Sequence, residues 1–277
     1  MKLVLFQPPY PAAASPIGAA ACLQWMRDRL DALIPEEQDL VLLPEYANAP
    51  GLTERQPLRD FATTHGAGFL GAVAASARRL GSLVALSAVT PSGALWYNRT
   101  VVYGAAGQTV ATYDKVHLTD VESGELGVTP GASAAVCTLA GVRLGFATCF
   151  DLYFPEHFEA LAAHGLDLVL CPSYQRSESP ERIRLIAQAR ALDSGAYLAR
   201  SSYALGSPTA GGTSLVASPS GALLADAGPL PRVLALEIDP GAKFVKPASH
   251  GQPPVEHRAL IEAHRRPSAY RPLPGSA

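Results

Sequence analysis

Short apolar runs alternate along the chain with segments whose apolar residues recur every three or four positions, which predicts interleaved strands and helices. Leu3 to Phe6 is a first strand, and residues 17–34 carry helical spacing through Leu23, Met26, Leu30, Leu33 and Ile34. Asp39-Leu40-Val41-Leu42-Leu43-Pro44-Glu45 is a buried strand that ends in a carboxylate. Residues 66–80 turn helical in their second half and stop at Gly81, a C-cap residue. Strands at 83–89, 96–104 and 109–115 follow in quick succession. The turns Pro91-Ser92-Gly93 and Gly104-Ala105-Ala106-Gly107 between them predict antiparallel pairing. Residues 117–133, of mixed polarity, read as a loop. Strands 135–140 and 142–149 flank Gly141, and helix 155–164 opens on Pro155 and stops at Gly165. Strand 167–172, helix 180–194 and strands near 196–202, 213–218 and 232–238 complete the pattern.

Helices beside strands at both ends, with hairpins between and no internal repeat, predict a layered α/β sandwich forming one domain over residues 1–245. The tail, 246–277, is different. It carries Pro247, Pro253, Pro254, Pro267, Pro272 and Pro274 and a single helical stretch, about Val255–His264. Such a segment buries little by itself and is expected to pack on a partner subunit.

A chain of 277 residues, 48% hydrophobic and 17% charged, is globular and long enough to bury a core. A formal net charge of −2 with no lysine- or arginine-rich run gives nucleic acid or an anionic membrane nothing to attract. No apolar run is long enough to span a membrane, and the opening run reads as a strand rather than a signal peptide. Cys22, Cys137, Cys149 and Cys171 show neither CxxC pairing nor zinc-like spacing with the seven histidines. They read as reduced thiols in a cytoplasmic setting, with no metal or cofactor.

Three strand ends carry chemistry: Glu45, Lys115 and Cys149. The thiol sits where a strand stops and Asp151-Leu152-Tyr153-Phe154-Pro155-Glu156 opens a helix. Outward N–H groups and the helix dipole there favour a thiolate. A thiol is mostly protonated at neutral pH, so it needs a base, and a desolvated carboxylate can serve. Attack on a carbonyl or nitrile carbon puts negative charge on the substrate heteroatom. Lys115 and the backbone N–H of Phe150 are the candidate donors to it, one such donor being worth about 3–4 kcal/mol. His117 and His157 leave a Cys–His arrangement open, although His117, two residues past Lys115, reads as a structural hydrogen-bonder. Tyr46, Tyr153, Tyr174 and Trp96 are candidates for pocket wall or core. Asp151 and Glu156 read as charges that cap the helix start.

Residue types and spacing together carry a resemblance. Leu42-Leu43-Pro44-Glu45, Tyr113-Asp114-Lys115-Val116-His117-Leu118 and the run Thr148 to Glu156 occur in this order. Tyr97-Asn98, Pro130-Gly131, the run Asp167 to Ser173 and the run Gln188 to Asp193 support them. From residue 1 to about 240 the chain resembles the nitrilase (carbon–nitrogen hydrolase) superfamily, in its amidase-like branch. The resemblance implies an αββα sandwich that pairs into a four-layer homodimer. It also implies hydrolysis of a non-peptide C–N bond in a small carboxamide or carbamoyl compound through a cysteine thioester. Under it Glu45 is the general base, Lys115 the oxyanion donor and Cys149 the nucleophile.

Many members place a second glutamate shortly before a Pro-Gly. Glu125, five residues before Pro130, fits that spacing better than Glu122, eight before it, so Glu125 is chosen and Glu122 is the alternative. Two positions depart from the pattern. Tyr153 stands where close relatives carry arginine, which removes a cation suited to a distal carboxylate. Ala199-Arg200-Ser201-Ser202 stands where a block usually ends in Ala-Asn. The competing readings are a true nitrilase and a catalytically silent assembly subunit.

Overall fold

The computed structural model describes residues 1–269. Its centre is a pair of six-stranded sheets. The first has the order β12 (Arg232–Glu237), β1 (Lys2–Gln7), β2 (Leu40–Leu42), β3 (Leu83–Ser92), β4 (Leu95–Tyr103) and β5 (Thr109–Asp114). The second has the order β11 (Leu223–Asp226), β10 (Leu215–Ala217), β9 (Tyr197–Ser201), β8 (Leu168–Pro172), β7 (Val142–Phe146) and β6 (Val136–Leu139). β1, β2 and β3 run parallel, as do β7, β8 and β9, and antiparallel strands flank each trio.

Alternation along the strands explains the layers, because successive side chains point to opposite faces. Leu3, Leu5, Leu40 and Leu42 of the first sheet meet Leu144, Phe146, Leu168 and Leu170 of the second in one buried cluster between the sheets. The intervening Val4, Phe6 and Val41 face α1 (Pro16–Asp31) and α3 (Ala67–Leu80), packing on Met26, Leu30, Phe69 and Val73. Val169, Cys171 and Leu198 face α4 (Pro155–Ala162) and α5 (Pro180–Ser194), packing on Phe158, Leu161, Ile183 and Ala187. Strands buried on both faces read as unbroken apolar runs, as Leu40 to Leu43 does. The result is an αββα sandwich.

Local signals set several boundaries. Ser15 caps α1 by accepting from the Gly18 N–H, Pro16 opens the helix, and Gly81 ends α3 in the left-handed region at φ 66°. α1 stops at Asp31, short of the expected residue 34, and Ile34 is exposed. Strand 39–45 is in the sheet only over Leu40–Leu42, although the Leu43 N–H still reaches the Ala85 carbonyl at 2.8 Å. α2 (Arg55–Phe61) and β11 were not expected. Pro57 and the charges around it mask the two apolar residues, Leu58 and Phe61, that dock α2. The stretch expected as a loop, 117–133, contains a wide helical turn, Val121–Glu125.

The tail begins with a two-stranded ribbon, β13 (Val245–Pro247) and β14 (Pro254–Glu256), followed by α6 (His257–His264). Arg258 of α6 donates to Glu159 of α4 at 2.9 and 3.1 Å and to the Asp193 carbonyl of α5 at 2.7 Å. The described part of the tail is thus tied to its own chain; the last eight residues of 246–277 lie outside the described residues. No helix among the described residues is long and apolar enough to cross a membrane.

Candidate active site

Because the sheets stack face to face, the chain leaving β2, β5 and β7 delivers Glu45, Lys115 and Cys149 to one place. Glu45 and Lys115 are each 1% exposed and Cys149 is 8% exposed. Lys115 Nζ donates to Glu45 Oε1 at 2.8 Å and to Glu122 Oε1 and Oε2 at 2.9 and 2.7 Å. Asn98 of β4 donates from Nδ2 to Glu45 Oε1 at 2.7 Å and to Glu122 Oε1 at 2.9 Å, while its Oδ1 accepts from the Ser87 hydroxyl. Tyr46 Oη donates to Glu122 Oε1 at 2.9 Å, and the Thr119 N–H and hydroxyl donate to Oε2 at 3.0 and 3.1 Å. Pro130-Gly131 locks the end of β5 from outside. The Gly131 N–H donates to the Lys115 carbonyl at 2.8 Å, and a Cβ at Gly131 would lie 2.0 Å from the Asp114 carbonyl oxygen.

This corrects the choice of Glu125. Its side chain is exposed, its backbone carbonyl takes Arg55 Nε at 2.7 Å, and Glu122 occupies the buried position beside Lys115. Spacing to Pro130 holds only for an extended loop. A helical turn folds residues 121–125 back on themselves, and Thr119 draws Glu122 inward.

Cys149 begins a tight helical turn, Cys149–Tyr153, at φ 48°. That left-handed conformation costs a non-glycine residue about 1–2 kcal/mol, so the surroundings must hold it. Asp151, fully buried, does so. Its Oδ2 accepts from the Thr148 N–H and the Tyr113 hydroxyl, both at 2.7 Å, and its Oδ1 accepts from His117 N at 3.0 Å and His117 Nδ1 at 2.8 Å. The His117 ring stacks on Phe154 at 3.7 Å, and His157 Nε2 donates to the Phe146 carbonyl at 2.8 Å. His117 therefore braces the turn that carries Cys149, and Asp151 does more than cap a helix. The backbone of Tyr174 lies close enough to the Cys149 thiol to work against its upward shift, a contact with no sequence signal.

Electrostatics divide the groups. Burial first, then the Glu45 charge, pushes the Cys149 thiol well up, so it rests protonated. The thiolate expected from the helix start is overridden by desolvation. Burial also raises Glu45, against the opposing charge of Lys115 and the nearness of the Cys149 thiol. Burial works the same way on Glu122, but the Lys115 charge and the hydrogen bonds from Lys115, Thr119 and Asn98 hold it below the usual carboxylate range. Desolvation works to lower Lys115, and the two carboxylates outweigh it and raise it well above its ordinary value. The cluster opens into a cavity of about 470 Å³ walled by Tyr46, Leu52, Leu126, Phe150, Tyr153 and Tyr174.

The sequence model of the carbon–nitrogen hydrolase family matches residues 11–243. The chain belongs to that family. A Mycobacterium tuberculosis protein described only as a hydrolase is 33% identical over 204 residues, 66% of this chain and 72% of its own length. An omega-amidase of Xenopus laevis is 32% identical over 154 residues, spanning 52% of this chain and 56% of that protein. Among solved structures, an amidase from Nesterenkonia sp. superposes with a TM-score of 0.74 at 24% identity, covering 86% of this chain and 90% of its own. That last likeness is one of fold. This carbon–nitrogen hydrolase is thus an enzyme of C–N bonds with amidases among its relatives.

Of the residues singled out in the sequence, Glu45, Lys115, Cys149, Phe150, Tyr46, Tyr153 and Tyr174 all line the one cavity. Trp96 packs at the edge of the helix-side core, and Arg59 stacks on it at 5.0 Å. Sequence reasoning missed Asn98 as a bridging amide, although Tyr97-Asn98 had already marked the place. It also missed the wall residues Gln175, Arg176 and Glu178, which lie in a polar stretch with no periodicity. Arg200 stood out only as a departure from the family pattern; it is fully buried behind that wall.

Proposed function

We propose that this carbon–nitrogen hydrolase is an amidase that releases ammonia from a small carboxamide through a thioester on Cys149. The observation that carries the reading is geometric: the buried Glu45–Lys115 ion pair, 2.8 Å across, lines the same cavity as the Cys149 thiol. In the first step Cys149 Sγ bonds to the amide carbon while its proton passes to Glu45. The carbonyl π electrons move to oxygen, where Lys115 Nζ and the Phe150 N–H receive the charge. Collapse breaks the C–N bond, and Glu45 returns the proton to the departing nitrogen as ammonia leaves. Water then attacks the thioester carbon while Glu45 takes its proton, and as the C–S bond breaks Glu45 passes that proton to the departing sulfur, giving the acid and the free thiol. Glu122 keeps Lys115 charged and positioned throughout.

The relatives support the reading: the Xenopus protein is named an omega-amidase, and a cysteine-to-alanine variant of the Nesterenkonia amidase is a complex with butyramide. The test is ammonia release from acetamide, butyramide and pentanamide, with the matching nitriles alongside. Amide turnover without nitrile turnover, abolished in Cys149→Ala, is expected; nitrile turnover alone overturns the amidase reading in favour of a nitrilase. No turnover of either class, with an unreactive Cys149, supports a silent assembly subunit.

The same reading includes a homodimer with part of the tail 246–277 against the partner, which sedimentation velocity tests as twice the 29.0 kDa chain mass. It includes a reducing, cytoplasmic setting, which suits four unpaired cysteines. Fractionation of the host cell tests that.

A further inference from the structure

The wall of the cavity beyond the reactive sulfur is built from the segment that joins β8 to α5. It leaves Cys149 at the Tyr174 backbone and reaches the α5 N-cap at Ser179, so Glu178 lies four residues along it. Behind it stands Arg200 of β9, fully buried, and its guanidinium donates only to neutral acceptors. Two of those bonds, from Nε at 3.2 Å and Nη2 at 2.9 Å, converge on Gln175 Oε1, and others go to the Gly212 and Thr213 carbonyls.

This arrangement fixes the polarity of everything in front of it. A guanidinium has only donors, so Gln175 must turn its oxygen inward and its Nε2 outward. Gln175 Nε2 then donates to the Tyr153 hydroxyl at 3.5 Å. With one lone pair taken, the hydroxyl's own hydrogen is free to point the other way, where the Glu178 carboxylate lies; burial and then the Glu178 charge push the phenol up. Glu178 Oε2 also takes Arg182 Nη1 from the solvent side at 3.2 Å. The relay thus runs from Arg200 through Gln175 and Tyr153, and it ends on an acceptor that borders the cavity.

We propose, resting on the amidase reading, that the wall formed by Tyr153, Gln175 and Glu178 selects amides whose tail carries a hydrogen-bond donor or a cation, and disfavours those with a distal carboxylate. A donor on the substrate completes the acceptor at the end of the relay. A carboxylate there meets a like charge at a side chain only 19% exposed, where solvent screens poorly. The cation on the same wall, Arg176, is exposed and lies over the Tyr174 ring at 4.7 Å, so solvent screens its pull on a carboxylate more strongly.

The test compares three amides with the same three-methylene spacer: 4-aminobutanamide, pentanamide and glutaramate. The wild-type enzyme is expected to hydrolyse 4-aminobutanamide with a kcat/KM about tenfold above that of glutaramate, a ratio that falls as salt is added. Glu178→Gln is expected to collapse the ratio towards one. Calorimetry with Cys149→Ala and the same two charged amides reads the preference as binding, without turnover. A ratio at or below one with pentanamide still hydrolysed overturns this inference alone, and an inverted preference assigns the tail to Arg176. Absence of turnover of all three amides overturns the amidase reading, and the calorimetric preference still decides the wall. An unchanged ratio in Glu178→Gln also overturns the inference.

Discussion

At the proposed reactive end of the cavity, Glu45, Lys115 and Glu122 are 1 to 5% exposed and are satisfied by one another, by buried Asn98 and Tyr46 and by half-buried Thr119. Along the wall of residues 174–178, Arg176 and Ser177 stand in solvent, and the carboxylate of Glu178 is shared between Tyr153 and an exposed arginine. Both regions hold opposite charges, yet only one is closed. In the closed cluster each charge depends on its neighbours, because a buried ion that loses its partner keeps its desolvation cost. Along the wall, water replaces a charge lost at exposed Arg176, whereas Glu178 is only 19% exposed and keeps Arg182 as its partner. Under the proposed reading, the reactive end is therefore tied to stability, and the exposed part of the wall can vary with less effect on the fold.

Lys115→Met should break this contrast most severely. It leaves Glu45 and Glu122 buried side by side without their cation, a loss of about 3–5 kcal/mol by denaturant unfolding, with amide hydrolysis abolished. Retained stability would mean that the two carboxylates do not share Lys115.

Glu45→Gln keeps a side chain of the same shape and removes the proposed base, so kcat should fall by about 10²–10⁴-fold with the fold intact. The pH profile sharpens the assignment. Glu45 must be ionised to act and its pKa is raised, so activity is lost as pH falls through that raised value, and the acid limb lies above the ordinary carboxylate range. Glu122 has the opposite sign. Its depressed pKa contributes stability that is present above the ordinary carboxylate value and is lost as pH falls through the lowered one. Activity should thus fail at a higher pH than the fold does; coincident losses in rate and circular dichroism would argue against separate roles.

A smaller effect is expected from Arg200→Met. It unpairs the Gln175 oxygen and two backbone carbonyls, costing about 1–3 kcal/mol, and it should raise KM more than it lowers kcat. Glu125→Ala should change stability by no more than about 0.5 kcal/mol and leave turnover intact, whereas Glu122→Ala should damage both. Equal effects at the two positions would undo the placement of the second glutamate.

Much of this was legible in the chain because strand ends are simple to read. A strand run that stops at a charged or reactive residue leaves that residue at a sheet edge, and Glu45, Lys115 and Cys149 all lie at such ends. The alternation of Leu3, Val4, Leu5 and Phe6 likewise carried both the inter-sheet and the helix-side layer. What stayed hidden depended on through-space geometry. Glu122 and Glu125 differ by a fold-back that no spacing count registers, and the Tyr174 backbone beside the thiol has no side-chain signature at all. Arg200 reads as a surface charge until β9 is known to be buried on both faces.

The most direct test of Cys149 as the nucleophile is peptide-mapped mass spectrometry after titration with fluoroacetamide, with residual amide hydrolysis followed in the same samples. An acetamide adduct on Cys149, ahead of Cys22, Cys137 and Cys171, with activity falling in proportion, is the predicted result. Hydrolysis that survives complete alkylation of Cys149 would contradict it.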